Sequence, residues 1–330
     1  MTVHRLAANQ PPRRFYRGGP AIAAFRGIAG VDDHQPEDWV GSVTAVAGTA
    51  NVGMTTLPDG RLLADAIAAD PIRWLGEAHV ARWGTDPMML AKLLDAGQRL
   101  PIHAHPDRAF AAEHLGHAHG KAEAWFILTG GEVSLGLREP LSPDEARELV
   151  ATQAVDDLLA RLHRVTVAPG DTVYVPPGTL HAIGEGVLLA EIQEPEDLSI
   201  LLEWRDFDID GAEHGHLGLG FDLALRAVTL DALPEADLRR LIAPRAAPAL
   251  LPASADPYFR LERRAPGGAD EVDGGFAVVV VLDGAGELER SGERMRVQRG
   301  ETLALEHAGG PVRMGAELDV LLMRPPAAEA

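Results

Sequence analysis

Residues 97–105 read GQRLPIHAH, and residues 170–181 read GDTVYVPPGTLH. Five residues separate Gly97 from His103-Ala104-His105. Side chains alternate sides along an extended chain, so His103 and His105 project the same way. In the second stretch five residues separate Gly170 from Pro176, and Gly178 and His181 follow. Between the two lies Glu123, with six residues before Gly130. The surrounding sequence is a series of short runs: LPIHAH, EAWFIL, VSLGL, VTVAPGDTVYVPPGTLHAI and GVLLAEIQ. Each is bounded by Gly or Pro, which reads as a succession of antiparallel strands.

The chain has 330 residues, a length that suits about two domains. Hydrophobic residues make up 46% and charged residues 24%, ordinary globular values that exclude disorder over most of the chain. The net charge of −19 disfavours nucleic acid and anionic membrane as partners and leaves room for a local basic pocket that takes a small anion. There is no cysteine, so any metal must sit on His, Asp, Glu or Gln, without disulfides, zinc thiolates or thiol nucleophiles. The longest apolar run, Phe276 to Leu282, falls far short of the roughly 20 residues a membrane helix needs. Arg5, Arg13, Arg14 and Arg17 are followed by no apolar signal region, so a cytoplasmic protein is expected, of open oligomeric state.

Several helices interrupt the strands. Pro71–Leu75 and Met88–Ala96 (MMLAKLLDA) have helical character, the second with apolar residues at helical spacing. Ser142-Pro143-Asp144-Glu145 carries a cap residue, a first-turn Pro and a Glu three after the Ser, which predicts a helix running to about Leu162. A short helix follows Leu233-Pro234-Glu235, and Pro244–Ala255 reads as a Pro/Ala-rich linker. A second strand-rich stretch begins at Phe276. There VQRGETLAL (297–305) matches VAPGDTVYV (167–175) in residue type, so the two regions read as diverged repeats. His181 of the first copy corresponds to Pro311 of the second, which therefore lacks the imidazole. The expected division is a metal-binding domain over 1–207, a helical connection and linker over 208–255, and a second domain without ligands over 256–330.

The spacings above are the two halves of the cupin signature, G-x5-HxH with E-x6-G, and G-x5-PxG-x2-H. That signature implies a mainly β fold, here two cupin-like jelly-roll β-barrels with a few inserted helices. Inward positions of the first barrel supply His103, His105, Glu123 and His181 to one divalent metal. Imidazole and carboxylate suit zinc, and equally iron, manganese, cobalt or nickel. Seventeen residues, Pro106 to Ala122, stand where the ordinary motif has three or four, and Glu185 replaces a frequent Asn. The insertion contains a rival pair, His117 and His119, three residues before Glu123. The earlier pair is preferred for its Gly, its flanking Leu100 and Ile102, and the Pro106-Asp107 that ends the strand. The later pair has the composition of a mobile loop.

At these residues the chain resembles the type I mannose-6-phosphate isomerases. EDWVGS (37–42), MLAKLLDAGQ (89–98), IHAHPD (102–107), GKAEAWFIL (120–128), PGTLHAIG (177–184) and VLLAEIQ (187–193) are similar to that family's words. The resemblance implies a zinc-dependent aldose–ketose isomerase that interconverts mannose 6-phosphate and fructose 6-phosphate through an enediol. It carries the ligand roles to His103, His105, Glu123 and His181. Lys121, two residues from Glu123, is the candidate base, and Asp197 the candidate relay or orienting group. Three positions depart from the pattern. His103 stands for a Gln, Pro101 for a Ser, and Leu201 for a catalytic Arg, leaving Arg205 as the candidate substitute and Arg108 and Lys121 as further nearby cations. The His103 change keeps open a metal cupin of other chemistry, a dioxygenase or a lyase. The missing Arg keeps open an unphosphorylated sugar as substrate, or a non-catalytic sugar-binding protein.

Overall fold

The computed structural model describes residues 2–268 and 271–328. Its strands form four antiparallel sheets. A six-stranded sheet runs, edge to edge, Ile242–Ala243, Thr172–Val175, Glu123–Thr129, Leu188–Gln193, Leu90–Asp95 and Glu37–Val40. Packed on it is a five-stranded sheet of Ile200–Leu201, His103–Ala104, His181–Ile183, Gly131–Leu137 and Leu162–Val167. Leu94, Trp125, Ile127 and Leu189 from the first meet Val133, Leu135, Val167 and Ile183 from the second. A second sandwich pairs a sheet of Val3–Leu6, Thr302–Leu305, Ala277–Asp283, Asp319–Arg324 and Arg260–Arg264 with a four-stranded sheet of residues 271–314. Its interior is apolar, built from residues such as Val279, Val281, Leu288, Leu303, Val312 and Leu322.

The two sandwiches stack back to back. Ala91, Leu93, Ala124, Phe126, Ala190 and Ile192 on the outer face of the six-stranded sheet pack with Val278, Val280, Ala304, Leu321 and Met323. Helices cover the opposite side of the molecule, where Val150, Leu158 and Leu225 meet Ile102, Ala104, Leu137 and Ala182. The fold is therefore mainly β, two jelly-roll-like sandwiches with a few inserted helices, as the alternating runs indicate. Among the described residues no helix is long and apolar enough to cross a membrane. Two pairings tie distant parts of the chain together. Val3–Leu6 joins the second sandwich beside Thr302–Leu305, and Ile242–Ala243, from the connecting stretch, edges the first.

Two expectations are corrected. MMLAKLLDA is not a helix, since Leu90–Asp95 is an interior strand of the six-stranded sheet with all six residues buried. A strand covered on both faces loses the period-two pattern, and its near-continuous apolar run then satisfies a helical template equally well. The helix opened by Ser142 has its capping box, with Ser142 Oγ accepting from Glu145 N–H and Glu145 accepting in return from Ser142 N–H. It stops at Ala151, and a separate helix runs Val155–Arg161. Gln153 lies between them at φ 49°, and its side-chain oxygen accepts from the N–H groups of Trp204 and Arg205.

The repeat is visible in the turns. Gly170 and Gly300 precede matching strands at φ 94° and 84°, a region where a side chain would be strained. Pro311 stands directly before strand Val312–Met314, as His181 opens His181–Ile183.

The insertion after His105 is ordered by charge. Asp107 caps the helix Arg108–His114, accepting from Phe110 N–H. Beyond it His117 Nδ1 lies 2.9 Å from Glu196 Oε2, and His119 Nε2 lies 2.6 Å from Asp86 Oδ2. Burial lowers the His119 pKa, but Asp86 and Glu194 outweigh it and push it up to about 9. A raised imidazole pKa means the folded state holds its proton more tightly than the unfolded chain. The stabilisation is complete below the unfolded value near 6.5 and disappears as pH rises through about 9. His119→Gln should therefore cost about 1.5–3 kcal/mol at pH 6 and markedly less at pH 10. Urea denaturation of both proteins at the two pH values measures this, and equal losses would contradict the ion-paired assignment.

Candidate metal centre and its cavity

The antiparallel register sets His103 directly opposite His181, and alternation brings His105 to the same side. The ring centroids are 4.0 Å apart for His103 and His181 and 4.9 Å for each with His105. Each imidazole is fixed through Nδ1 by a backbone carbonyl: His103 by Pro101 at 2.8 Å, His181 by Thr179 at 2.8 Å, and His105 by Leu198 at 2.6 Å. A carbonyl only accepts, so each Nδ1 carries the proton and each Nε2 keeps a free lone pair. One nitrogen from each of the three rings lies within 4.8 Å of the others. Glu123, facing them from the other sheet, places its carboxylate oxygens 3.0 Å from His105 Nε2 and 3.2 Å from His181 Nε2.

The electrostatics favour ligation. Burial, reinforced by the neighbouring imidazoles, holds the His103 pKa well below the usual histidine range. Burial and then Lys121 lower His105 to about 3. Burial raises the Glu123 pKa, but Lys121, His105 and His181 outweigh it, so the carboxylate stays ionised. Neutral imidazoles and an ionised carboxylate are the forms a divalent metal requires. His181 Nε2 is fully buried and has no hydrogen-bond partner, a costly state that a metal at this point would relieve. The residues present therefore fit a metal. His117 and His119 are directed to Glu196 and Asp86 and do not join this group.

His103 and Glu123 of the cluster line a 460 Å³ cavity whose wall also includes Arg13, Arg14, Glu37, Lys92, Lys121, Glu191, Asp197 and Asp208. Lys121 is buried, with Nζ 2.8 Å from Glu123 Oε2, 2.9 Å from His105 Nε2 and 3.9 Å from Glu191 Oε1. Burial lowers its pKa, yet Glu123 and Glu191 outweigh that and keep it raised. Burial and the Glu123 charge push Glu191 up to about 8. Asp197 is partly buried, which raises its pKa, but Arg14 at 3.2 Å and Lys92 at 3.9 Å hold it below the usual range. Pro101 and Leu201 both line the cavity and present only apolar surface there.

Arg205 is corrected. Its side chain is half exposed, donates to Gln153 C=O at 3.4 Å, lies 3.7 and 3.8 Å from Asp156 and Asp206, and does not line the cavity. The chain turns outward after Glu203, whose own carboxylate is held by Arg99 and by Ile102 N–H. Arg108 is likewise elsewhere, bound to Glu194 and stacked on Tyr258. The cations that do reach the cavity from unassigned positions are Arg13, Arg14 and Lys92. Lys92 and Glu191 each carry a signal in the sequence, being charges inside otherwise apolar runs, where an unpaired buried charge is prohibitive, whereas Glu37 stands between Pro36 and Asp38. Arg13 and Arg14 carry none. Their segment reaches the cavity because Gly97 admits it: a Cβ there would lie 2.7 Å from Gly18 Cα.

No protein-family model matches the chain. It is 28% identical over 238 residues to a mannose-6-phosphate isomerase of Streptococcus mutans, covering 71% of this chain and 72% of that one. A mannose-6-phosphate isomerase of Bacillus subtilis is 33% identical over 150 residues, 44% of this chain and 46% of the relative. In fold, the chain is similar to a mannose 6-phosphate isomerase solved with zinc and yttrium, at TM-score 0.77 and 17% identity over 99% of this chain and 100% of the other. The sequence likeness over most of the chain and the shared two-sandwich fold make the chain similar to the mannose-6-phosphate isomerases.

Proposed function

We propose that this chain is a metal-dependent aldose–ketose isomerase that interconverts mannose 6-phosphate and fructose 6-phosphate. The observation that carries the reading is the convergence of three carbonyl-fixed imidazoles and Glu123 beside the Lys121–Glu191 pair. The relatives' names supply the substrate. His103, His105, His181 and Glu123 would hold the metal, with zinc, the ion of the fold neighbour, as first choice. When bound, the ion supplies a Lewis acid that polarises the substrate's carbonyl and hydroxyl oxygens.

The remaining chemistry falls to side chains. Isomerisation moves one proton between C1 and C2, so a group beside the sugar must take it from one carbon and return it to the other. Lys121 and Glu191, 3.9 Å apart, share this task, Glu191 having an affinity for the proton that suits exchange near neutral pH. Asp197, kept ionised by Arg14 and Lys92, orients rather than carries protons. The walls of the cavity hold the sugar against both groups. A cytoplasmic setting belongs to this reading, because the charge of a phosphorylated sugar keeps it from crossing a bilayer unaided.

His181→Ala should reduce bound zinc by about tenfold or more while the protein stays folded, and His117→Ala should leave it unchanged. Elemental analysis of the purified proteins decides, and the reverse pattern would transfer the site to the inserted loop. Chelation of the wild type should abolish isomerase activity and lower the melting temperature, both restored by zinc.

Lys121→Met and Glu191→Gln should each lower kcat by about 10²–10⁴-fold. Metal content should be retained, which separates proton transfer from loss of the ion. A coupled assay for fructose 6-phosphate formation checks this, and near-normal kcat in both variants would reject the pair.

A further inference from the structure

Four Lys and Arg side chains line the cavity, and three are already committed. Lys92 is enclosed by Glu37 at 3.5 Å, Asp197 at 3.9 Å and the face of Trp39. Lys121 lies on Glu123 and Glu191. Arg14 is held by Asp197 and Glu37, at 3.2 and 3.3 Å. Arg13 differs. Its side chain is 59% exposed at the cavity rim, and its partner, Asp208 at 3.3 Å, is 70% exposed. A pair so exposed contributes little to stability, so a stronger anion can displace Asp208 at small cost.

The backbone beneath Arg13 is fixed. Asp208 N–H donates to Phe15 C=O at 3.1 Å, and Phe15 meets Phe207 edge to face at 6.3 Å. These contacts clip residues 13–16 to residues 207–208, while Arg14 neutralises the two carboxylates that would otherwise repel an anion. On the wall beside His103, Pro101 and Leu201 have no side-chain donor to offer a phosphate.

We infer that Arg13 reads the phosphate end of the substrate, its guanidinium exchanging the Asp208 carboxylate for two phosphate oxygens. The inference rests on the isomerase reading for the substrate and adds the residue that makes it specific for the phosphorylated form. A guanidinium matches two phosphate oxygens with parallel N–H donors, which an ammonium cannot do. Asp208 then acts as a placeholder that keeps Arg13 extended over the mouth when the cavity is empty.

The test uses zinc-loaded full-length protein and inorganic phosphate as the probe, with its inhibition constant and calorimetric affinity measured alongside KM for mannose 6-phosphate. Arg13→Ala should weaken phosphate binding and raise KM by about tenfold or more, with kcat within about twofold of wild type. Arg13→Lys should recover part of the loss. Asp208→Asn should tighten phosphate by a few-fold, an effect opposite in sign that general damage to the rim would not produce. Unchanged phosphate affinity in Arg13→Ala would overturn the inference while leaving the isomerase reading intact. Wild-type protein that binds phosphate through Arg13 yet converts no mannose 6-phosphate would support the anion site and reject the substrate.

Discussion

Three carbonyl oxygens determine what this site can be. Without the acceptors of Pro101, Thr179 and Leu198, each imidazole could carry its proton on either nitrogen and turn about its own bond. With them, all three present lone pairs toward one point. Two of the acceptors lie two residues before the histidine they hold, so the strand orients its own ligand. The third is remote: Leu198 holds His105 across 93 residues. The segment that carries Leu198 also delivers Asp197, Ser199 and Leu201 to the cavity. A shift of that segment would disturb a ligand and the wall of the cavity together.

The inner face of the six-stranded sheet divides along its strands. One end carries Lys92, Glu123 and Glu191, and the other carries Leu94, Ile127 and Leu189, with Glu37 opposite Leu94 on the edge strand. Burying so many charges is unfavourable one at a time, and pairing offsets the desolvation only where signs alternate at close range. They do alternate here, from Glu123 through Lys121 to Glu191, and from Glu37 through Lys92 to Asp197. The apolar end supplies the rigidity. Trp125 belongs to both halves, its ring packed in the core while its Nε1–H donates to Glu123.

How much of this was legible in the sequence depended on whether the information was local. Period-two spacing placed His103 and His105 on one side, and the Gly, Pro and His intervals located Glu123 and His181 in the strands that converge. The strand Leu90–Asp95 reads as a helix in the sequence because burial on both faces erases the alternation that marks a strand. Arg205 is near Leu201 in sequence, but the chain leaves the cavity after Glu203 and carries Arg205 outward. Arg14 lies 183 residues from Asp197, and no spacing rule links them. That link exists only once the sheets have closed and Gly97 has let the N-terminal segment approach.

The pairing of Val3–Leu6 with Thr302–Leu305 has a consequence for how the molecule is made. The first strand emerges from the ribosome about 300 residues before its partner, at 5–20 residues per second on the order of tens of seconds earlier. During that interval its edge is open, while the stretch that follows, carrying Arg13 and Arg14, can already be clipped to residues 207–208. The histidine cluster, complete by residue 198, and the wall of the cavity, complete by residue 217, can both assemble on the nascent chain before the second sandwich closes. A break near the C-terminus would therefore open the edge of Val3–Leu6 while removing no residue of the cluster or of the cavity wall.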